Sequence, residues 1–194
     1  MNNIKPSIQI SILILISLIL RIIAFYLVGD HQLENEWKIL VHNLSEKGIL
    51  GYYVVEEGLR ILPKLAEGND IVLPSAFMPP LYAFFIFIIK YFFFDYINFV
   101  TLIILFQICL SLVSIYFFFK LVRLSENQNI SIFTALIFAI IPIHVYACVQ
   151  ISSICIQVFL LTYYFYLIKI FSMKKKMSMK HLIFFSIVSG FLIL

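Results

Sequence analysis

Apolar runs long enough to cross a lipid bilayer constrain this chain more than any other feature. The first run, Ile8 to Val28, is about twenty residues long, and a helix of that length spans a bilayer core of roughly 30 Å. Apolar residues make up 63 % of the chain and charged residues 12 %, with a mean hydropathy of +1.05. Soluble globular domains do not have this composition, so the sequence predicts an all-α integral membrane protein.

The remaining apolar runs follow one long polar loop. This loop covers residues 29–78 and holds eight of the ten acidic residues. We predict membrane spans at about 8–28, 99–119, 130–146, 148–171 and 181–194. The last span stops at Leu194 and is too short to cross, so we expect a single transmembrane module that forms the N-terminal part of a longer protein.

Loop charges decide whether the run at 79–94 crosses the membrane. If every run crossed from a cytoplasmic N-terminus, the basic segment KKKMSMK at 174–180 would face outward, against the positive-inside bias. If the run at 79–94 does not cross, this segment becomes cytoplasmic, and so do Lys120 and Arg123. The run is short, begins with two prolines and contains a lysine, so we predict an interfacial or re-entrant helix. The loop at 29–78 is then extracytoplasmic.

A helical repeat of apolar residues begins inside the polar loop. It comprises Leu33, Trp37, Leu40, Val41 and Leu44. The repeat predicts an amphipathic surface helix from about Glu34 to Lys47, capped by Gly48, with a tryptophan suited to the headgroup region. A simpler interpretation is that acids solvate an outer loop and aromatic residues anchor it. On these residues alone, that interpretation stands ahead of a catalytic one.

Asp30 occupies the position at which the first span leaves the membrane. A carboxylate there can stay ionised beside a region of low dielectric constant, which suits a general base or a metal ligand. The polar turn at 146–153 follows a helix expected to end near Pro142. In the predicted topology this turn faces the same side as Asp30, so both can contribute to one site. Arg21, inside the first span, fits snorkelling, a bond to another helix or contact with a lipid phosphate.

Three motifs occur in a fixed order along nearly the whole chain. An acid precedes EWKILVHNL at Glu36 to Leu44, PPLY stands at Pro79 to Tyr82, and the run ALIFAIIPIHVYACVQISS covers residues 135–153. This order resembles the GT-C superfamily of membrane glycosyltransferases, and in particular the bacterial ArnT-, PMT- and RgtA-like enzymes. The resemblance implies a polytopic helix bundle whose large extracytoplasmic first loop carries surface helices and an acidic catalytic residue.

The resemblance also implies transfer of a sugar from a polyprenyl-phosphate donor to a lipid, glycan or protein acceptor, with inversion at the anomeric carbon. The general base on the acceptor hydroxyl is then Asp30, with Glu34 and Glu36 as alternatives. The residues expected to bind substrate are Arg21, Arg60, Lys64, Pro80, Tyr82, His144 and Gln150. Where many relatives carry an acid in the outer turn, this chain has glutamine and serines. No metal ligand is therefore assigned, and a divalent metal is left open.

The same resemblance places the protein in a bacterial inner membrane with the catalytic loop in the periplasm. The net charge of +4 lies on membrane flanks, which indicates orientation and not nucleic-acid binding. Two other classes fit the sequence: a transporter component and a non-catalytic membrane subunit. Transport pathways usually line a cavity with ionisable residues. The apolar runs hold few of them: Arg21, Lys90 and Lys169.

Overall fold

The structure, a computed structural model, describes residues 6–33, 35–55, 60–62, 71–75, 78–93 and 98–173, with single positions 179, 183, 186, 187, 189 and 190. In chain order the elements are α1 Pro6–Val28, α2 Asn35–Lys47, β1 Gly51–Val55, β2 Arg60–Leu62, β3 Val72–Pro74, α3 Pro80–Phe93, α4 Phe99–Arg123, α5 Gln128–Ile140, α6 Pro142–Ala147 and α7 Ile154–Met173. Helices α1, α4 and α7 are long and apolar enough to cross a membrane. The chain is therefore a membrane protein, and its described residues are mostly helical.

The chain divides into two compact units. Residues 1–30 and 104–193 form the first unit, and residues 31–103 with Leu194 form the second. The first unit contains the three long apolar helices, apart from the first turn of α4. The second contains α2, the three strands and α3.

Helix α1 buries one narrow stripe of its surface and exposes the rest. Leu13, Ser17 and Arg21 are spaced four residues apart, on one face of the helix, and all three are buried. On other faces, Ile12 and Ile19 are 46 % and 48 % exposed. An apolar exposed surface of this kind suits contact with lipid, whereas Ser17 and Arg21 are turned towards the protein.

Small residues on α5 allow close packing in the first unit. Ser131, Ala135 and Ala139 are buried and again spaced four residues apart. The two alanines belong to one apolar cluster with Leu13 of α1 and Ile115 of α4. Because small side chains let helix backbones approach closely, this stripe brings the carbonyl groups of α5 within reach of α1.

A proline separates α5 from α6. Pro142 has no amide hydrogen to continue the helical ladder, and Ile141 before it leaves the helical conformation, with φ of −55° and ψ of 120°. Helix α5 therefore ends after 13 residues, a length of roughly 20 Å. The stretch at 130–146, predicted as one span, is thus two helices joined at Ile141.

One other predicted stretch differs from the helix observed. The stretch at 148–171 becomes helical only at Ile154, because Cys148 ends α6 and residues 148–153 form a turn. The stretch at 181–194 lies largely outside the described residues. Whether α3, which has 14 residues, crosses the membrane stays a prediction.

A three-stranded antiparallel sheet in the second unit was not predicted from the sequence. Its strand order is β2-β1-β3, and Tyr53 of β1 pairs with Leu62 on one side and Val72 on the other. The segments GYYVV and IVLP carry the β-branched and aromatic residues that are typical of strands. These short strand signals stand inside a loop that is otherwise polar and acidic.

Helix α2 lies where the surface helix was predicted, and its apolar face packs inside the second unit. Ile39 forms a core with Leu40 and Tyr52. Trp37 meets Tyr82 edge-on, with ring centroids 4.7 Å apart. The apolar face of α2 therefore holds this unit together, and its contact with the membrane stays a prediction.

We expect Gly51→Ala to destabilise the second unit by about 2 kcal/mol. Gly51 pairs with Pro74, and a β-carbon added there would meet the backbone carbonyl of Leu73. The fluorescence of Trp37, the sole tryptophan, follows unfolding of this unit in denaturant. In the comparison variant Gly48→Ala, the new carbon meets no described atom within 4 Å, and only the φ of +67° is strained, at about 1 kcal/mol. Wild-type stability of Gly51→Ala would contradict the pairing of β1 with β3.

Candidate functional site

The backbone and side chain of Asp30 are both bound to the 148–153 turn. The amide of Asp30 donates to the carbonyl oxygen of Val149 at 3.0 Å, and the amide of Ile151 donates to Oδ2 of Asp30 at 2.7 Å. These bonds join the end of α1 to the turn before α7, two segments that the predicted topology places on one side. We call Asp30 and this turn the Asp30 site.

Side-chain amides hold the turn of the Asp30 site in place. Gln107, fully buried in α4, donates through Nε2 to the carbonyl of Gln150 at 2.7 Å. The side chain of Gln150 donates to the carbonyl of Val28, the last residue of α1. Cys155 of α7 donates through Sγ to the carbonyl of Gln107 at 3.0 Å. Residues of three long helices therefore fix the site, and the Gln150 side chain serves the backbone role that is usual at a helix end.

One carboxylate oxygen of Asp30 remains for chemistry. Asp30 is half-buried, and its Oδ1 has no hydrogen-bond partner among the residues that the structure describes. The bond at Oδ2 holds the carboxylate in one orientation. A carboxylate fixed in this way can accept a proton from a hydroxyl group placed about 3 Å from its second oxygen.

Arg21 is the centre of a buried network elsewhere in the first unit. Its Nε donates to Ser111 Oγ at 2.7 Å, and its Nη1 donates to the carbonyls of Ser17 at 3.0 Å and Ala139 at 3.3 Å. Its Nη2 lies 3.2 Å from Nδ1 of His144. The sequence left three interpretations of Arg21 open: snorkelling, a bond to another helix, or contact with a lipid phosphate. The structure agrees with the bond to other helices. Seven residues, roughly 10 Å, separate Arg21 from the end of α1, and its contact with a substrate stays a prediction.

Comparison with known proteins identifies no relative of the chain. No protein-family model, curated protein or solved structure matches it. The features that bear on its function are therefore the Asp30 site and the order of the sequence motifs.

The proline break supplies two partners of the Arg21 network. Because the helix stops before Pro142, the carbonyl of Ala139 loses the amide donor that a continuous helix would give it, and Arg21 donates to it instead. The same break places His144 in the short helix α6, facing Arg21. Nδ1 of His144 lies 3.2 Å from Nη2 of Arg21 and 3.3 Å from the carbonyl oxygen of Phe138, so the tautomer of the ring decides which of these two contacts is a hydrogen bond. A substrate contact of His144 stays a prediction.

Three of the predicted site residues in the second unit have a structural role there. Glu36 is half-buried in the first turn of α2, where a carboxylate interacts favourably with the helix dipole. Pro80 begins α3, at a position that favours proline. Tyr82 is 1 % exposed and stacks on Phe85, with ring centroids 5.9 Å apart. Their substrate contacts stay predictions.

Tyr52 brings an unexpected polar atom into the core of the second unit. Its hydroxyl is buried and has no hydrogen-bond partner among the described residues. Burial raises the pKa of Tyr52, and the Glu36 carboxylate raises it further. The phenol therefore stays protonated and keeps a hydrogen-bond donor.

Three predicted residues cannot be placed at a site. Glu34 and Lys64 lie outside the described residues. Arg60 is described only as a position in β2 that pairs with Val55, and its side chain lies outside the described part. Within the described ranges, no group of three His, Cys, Asp or Glu side chains is arranged to hold a metal ion.

Sequence reasoning missed the polar residues that support both clusters. Gln107 and Ser111 are fully buried on α4, four residues apart, and Ser17 is buried on α1. Their position inside apolar runs could have identified them, since polar side chains within membrane helices usually bond to neighbouring helices. Gln107 serves the Asp30 site and Ser111 serves Arg21, so one face of α4 supports both.

Proposed function

We propose that this chain acts as a membrane glycosyltransferase of the GT-C type, which transfers a sugar from a polyprenyl-phosphate donor to a lipid, glycan or protein acceptor. The observation that carries the proposal is the carboxylate of Asp30 at the end of a candidate span. One of its oxygens is fixed by the Ile151 amide, and the other has no partner among the described residues. The order of the acid, the PPLY motif and the proline-interrupted helix supports the same assignment.

In the proposed reaction, Oδ1 of Asp30 takes the proton of an acceptor hydroxyl as the hydroxyl oxygen attacks the anomeric carbon. The bond between that carbon and the phosphate oxygen breaks, and polyprenyl phosphate leaves with the electron pair. The configuration at the anomeric carbon is therefore inverted. Arg60 and Lys64 are proposed to balance the charge of the departing phosphate. Because Nε, Nη1 and Nη2 of Arg21 each contact protein atoms, we give Arg21 the role of positioning α1.

The proposed setting is a bacterial inner membrane, with the 29–78 loop in the periplasm. A polytopic arrangement with a non-crossing α3 puts Lys120 and Arg123 in the cytoplasm, which satisfies the positive-inside bias. A site at the outer end of a span suits the donor, because the polyprenyl tail stays in the bilayer while the sugar phosphate reaches the loop.

A transfer assay tests this function. Membranes from cells that express the gene are incubated with polyprenyl-phosphate donors carrying radiolabelled sugars, and membranes without the gene serve as the control. We expect gene-dependent transfer of label and release of polyprenyl phosphate. Solute uptake into proteoliposomes without transfer would instead support the transporter alternative. Assembly with another membrane protein without donor turnover would support a non-catalytic subunit.

A further inference from the structure

The second unit contains a cavity that shares no residue with the Asp30 site. Its volume is about 380 Å³, within the roughly 300–1,000 Å³ typical of ligand pockets. Its polar lining consists of His31, Gln32, Lys38, His42, Lys90 and Asn98. The apolar part of the lining consists of Leu33, Phe99 and Val100. The cavity therefore combines positive charge with an apolar wall.

Two lysines from different helices supply most of the positive charge. Lys38 lies on α2, is exposed, and has no ion-pair or hydrogen-bond partner among the described residues. Lys90 lies on α3, is half-buried, and makes only a long contact of 3.4 Å with Ser45 Oγ in the described part of the chain. The described residues that line the cavity include no acid. This arrangement attracts an anion more strongly than either lysine alone.

The first turn of α4 also favours the binding of an anion in this cavity. Asn98 caps this helix, its Oδ1 accepting from the amide of Val100 at 3.1 Å. The N-terminal end of a helix carries partial positive charge and readily receives phosphate groups. Because α4 is a candidate membrane span, its first turn is expected at the level of lipid headgroups. Phe99, in that turn, provides an apolar surface beside the charged groups.

We propose that this cavity binds the phosphate group of a membrane lipid, with Lys38 and Lys90 as the charged contacts. The lysines and the end of α4 recognise the phosphate, and the apolar wall at Phe99 accepts the beginning of the lipid tail. A free phosphate ion would use the same charges but not the apolar wall. This binding goes beyond the proposed sugar transfer and does not depend on it, since it is measured without turnover.

Calorimetric titration of the purified protein in a nonionic detergent distinguishes the sources of the phosphate. The probes are dioctanoyl phosphatidic acid, dioctanoylglycerol without phosphate, and inorganic phosphate. We expect phosphatidic acid to bind at least tenfold more tightly than either of the others. Equal binding of dioctanoylglycerol, or no binding of phosphatidic acid, would overturn the proposal. Equal binding of inorganic phosphate would overturn the assignment to a lipid.

Variants test the two lysines directly. Lys38→Gln combined with Lys90→Gln is expected to weaken phosphatidic acid binding at least tenfold, because two charge-assisted contacts are lost. Replacement of both lysines by arginine should retain binding, and Lys120→Gln, outside the cavity, is the matched control. The wild-type protein gives an independent test, since binding should weaken as salt rises. Unchanged affinity in the glutamine variant, or no salt dependence, would refute the lysine contacts.

Discussion

Replacing Arg21 by methionine is expected to lower the free energy of unfolding of the first unit by about 2 to 3 kcal/mol. From its place on α1, Arg21 makes hydrogen bonds to α4 and α5, and its Nη2 lies 3.2 Å from Nδ1 of His144 in α6. Methionine keeps the apolar stem but leaves Ser111, the Ala139 carbonyl and His144 without this donor. Removal of the buried charge recovers a desolvation cost and opposes the loss. We expect the loss of hydrogen bonds to outweigh the recovered desolvation cost, because unsatisfied polar groups are costly where neither water nor another donor reaches them.

Titration with a denaturing detergent, followed by helix circular dichroism, measures this effect. Arg123→Met is the matched control, since Arg123 is exposed at the end of α4 and donates to the carbonyl of Glu126. Its expected effect is within about 0.5 kcal/mol. Arg21→Lys should be intermediate, because one ammonium group cannot reach acceptors on three helices at once. Stability of Arg21→Met equal to the wild type would show that desolvation cancels the hydrogen bonds.

The membrane helices illustrate what the sequence could predict. Helix α1 follows from a local property, an apolar run of sufficient length, and the end of α5 follows from the missing amide hydrogen of Pro142. The partners of Arg21 are different, because Ser111 and His144 lie 90 and 123 residues away in the chain. No local pattern encodes such contacts. The sequence therefore identifies Arg21 as an unusual charge within an apolar run. Only the packing of the helices shows that Arg21 bonds to other helices.

The candidate site was predictable to a similar degree. The expected topology brought Asp30 and the 146–153 turn to one side, and the bond from the Ile151 amide to Asp30 is such a contact. The support from Gln107 was not predicted, because a glutamine within an apolar run carries no indication of its partner. The sheet was missed for another reason. Its strands of three to five residues are too short for periodicity to outweigh the composition of the loop.

Replacing Asp30 by asparagine is expected to reduce sugar transfer by a factor of about 10² to 10⁴, the usual contribution of a general base. The amide oxygen of asparagine can still accept the bond from Ile151, so the end of α1 should stay attached to the turn. The variant loses the basic carboxylate oxygen that takes the proton from the hydroxyl group of the sugar acceptor. The rate is measured with the radiolabelled donor assay, and the melting temperature in detergent should change little.

Asp30→Ala separates the chemical role of this residue from its structural one. Alanine removes the base and also the acceptor for Ile151, so it should lose activity as asparagine does and in addition lose about 1 kcal/mol of stability. If only alanine reduces transfer, Asp30 serves to hold the 148–153 turn and is not the base. If asparagine is as active as the wild type, the base has to be sought among the other acids, and Glu36→Gln is the next variant. The asparagine variant decides the role because it changes the basicity of the side chain while keeping its contact with the turn.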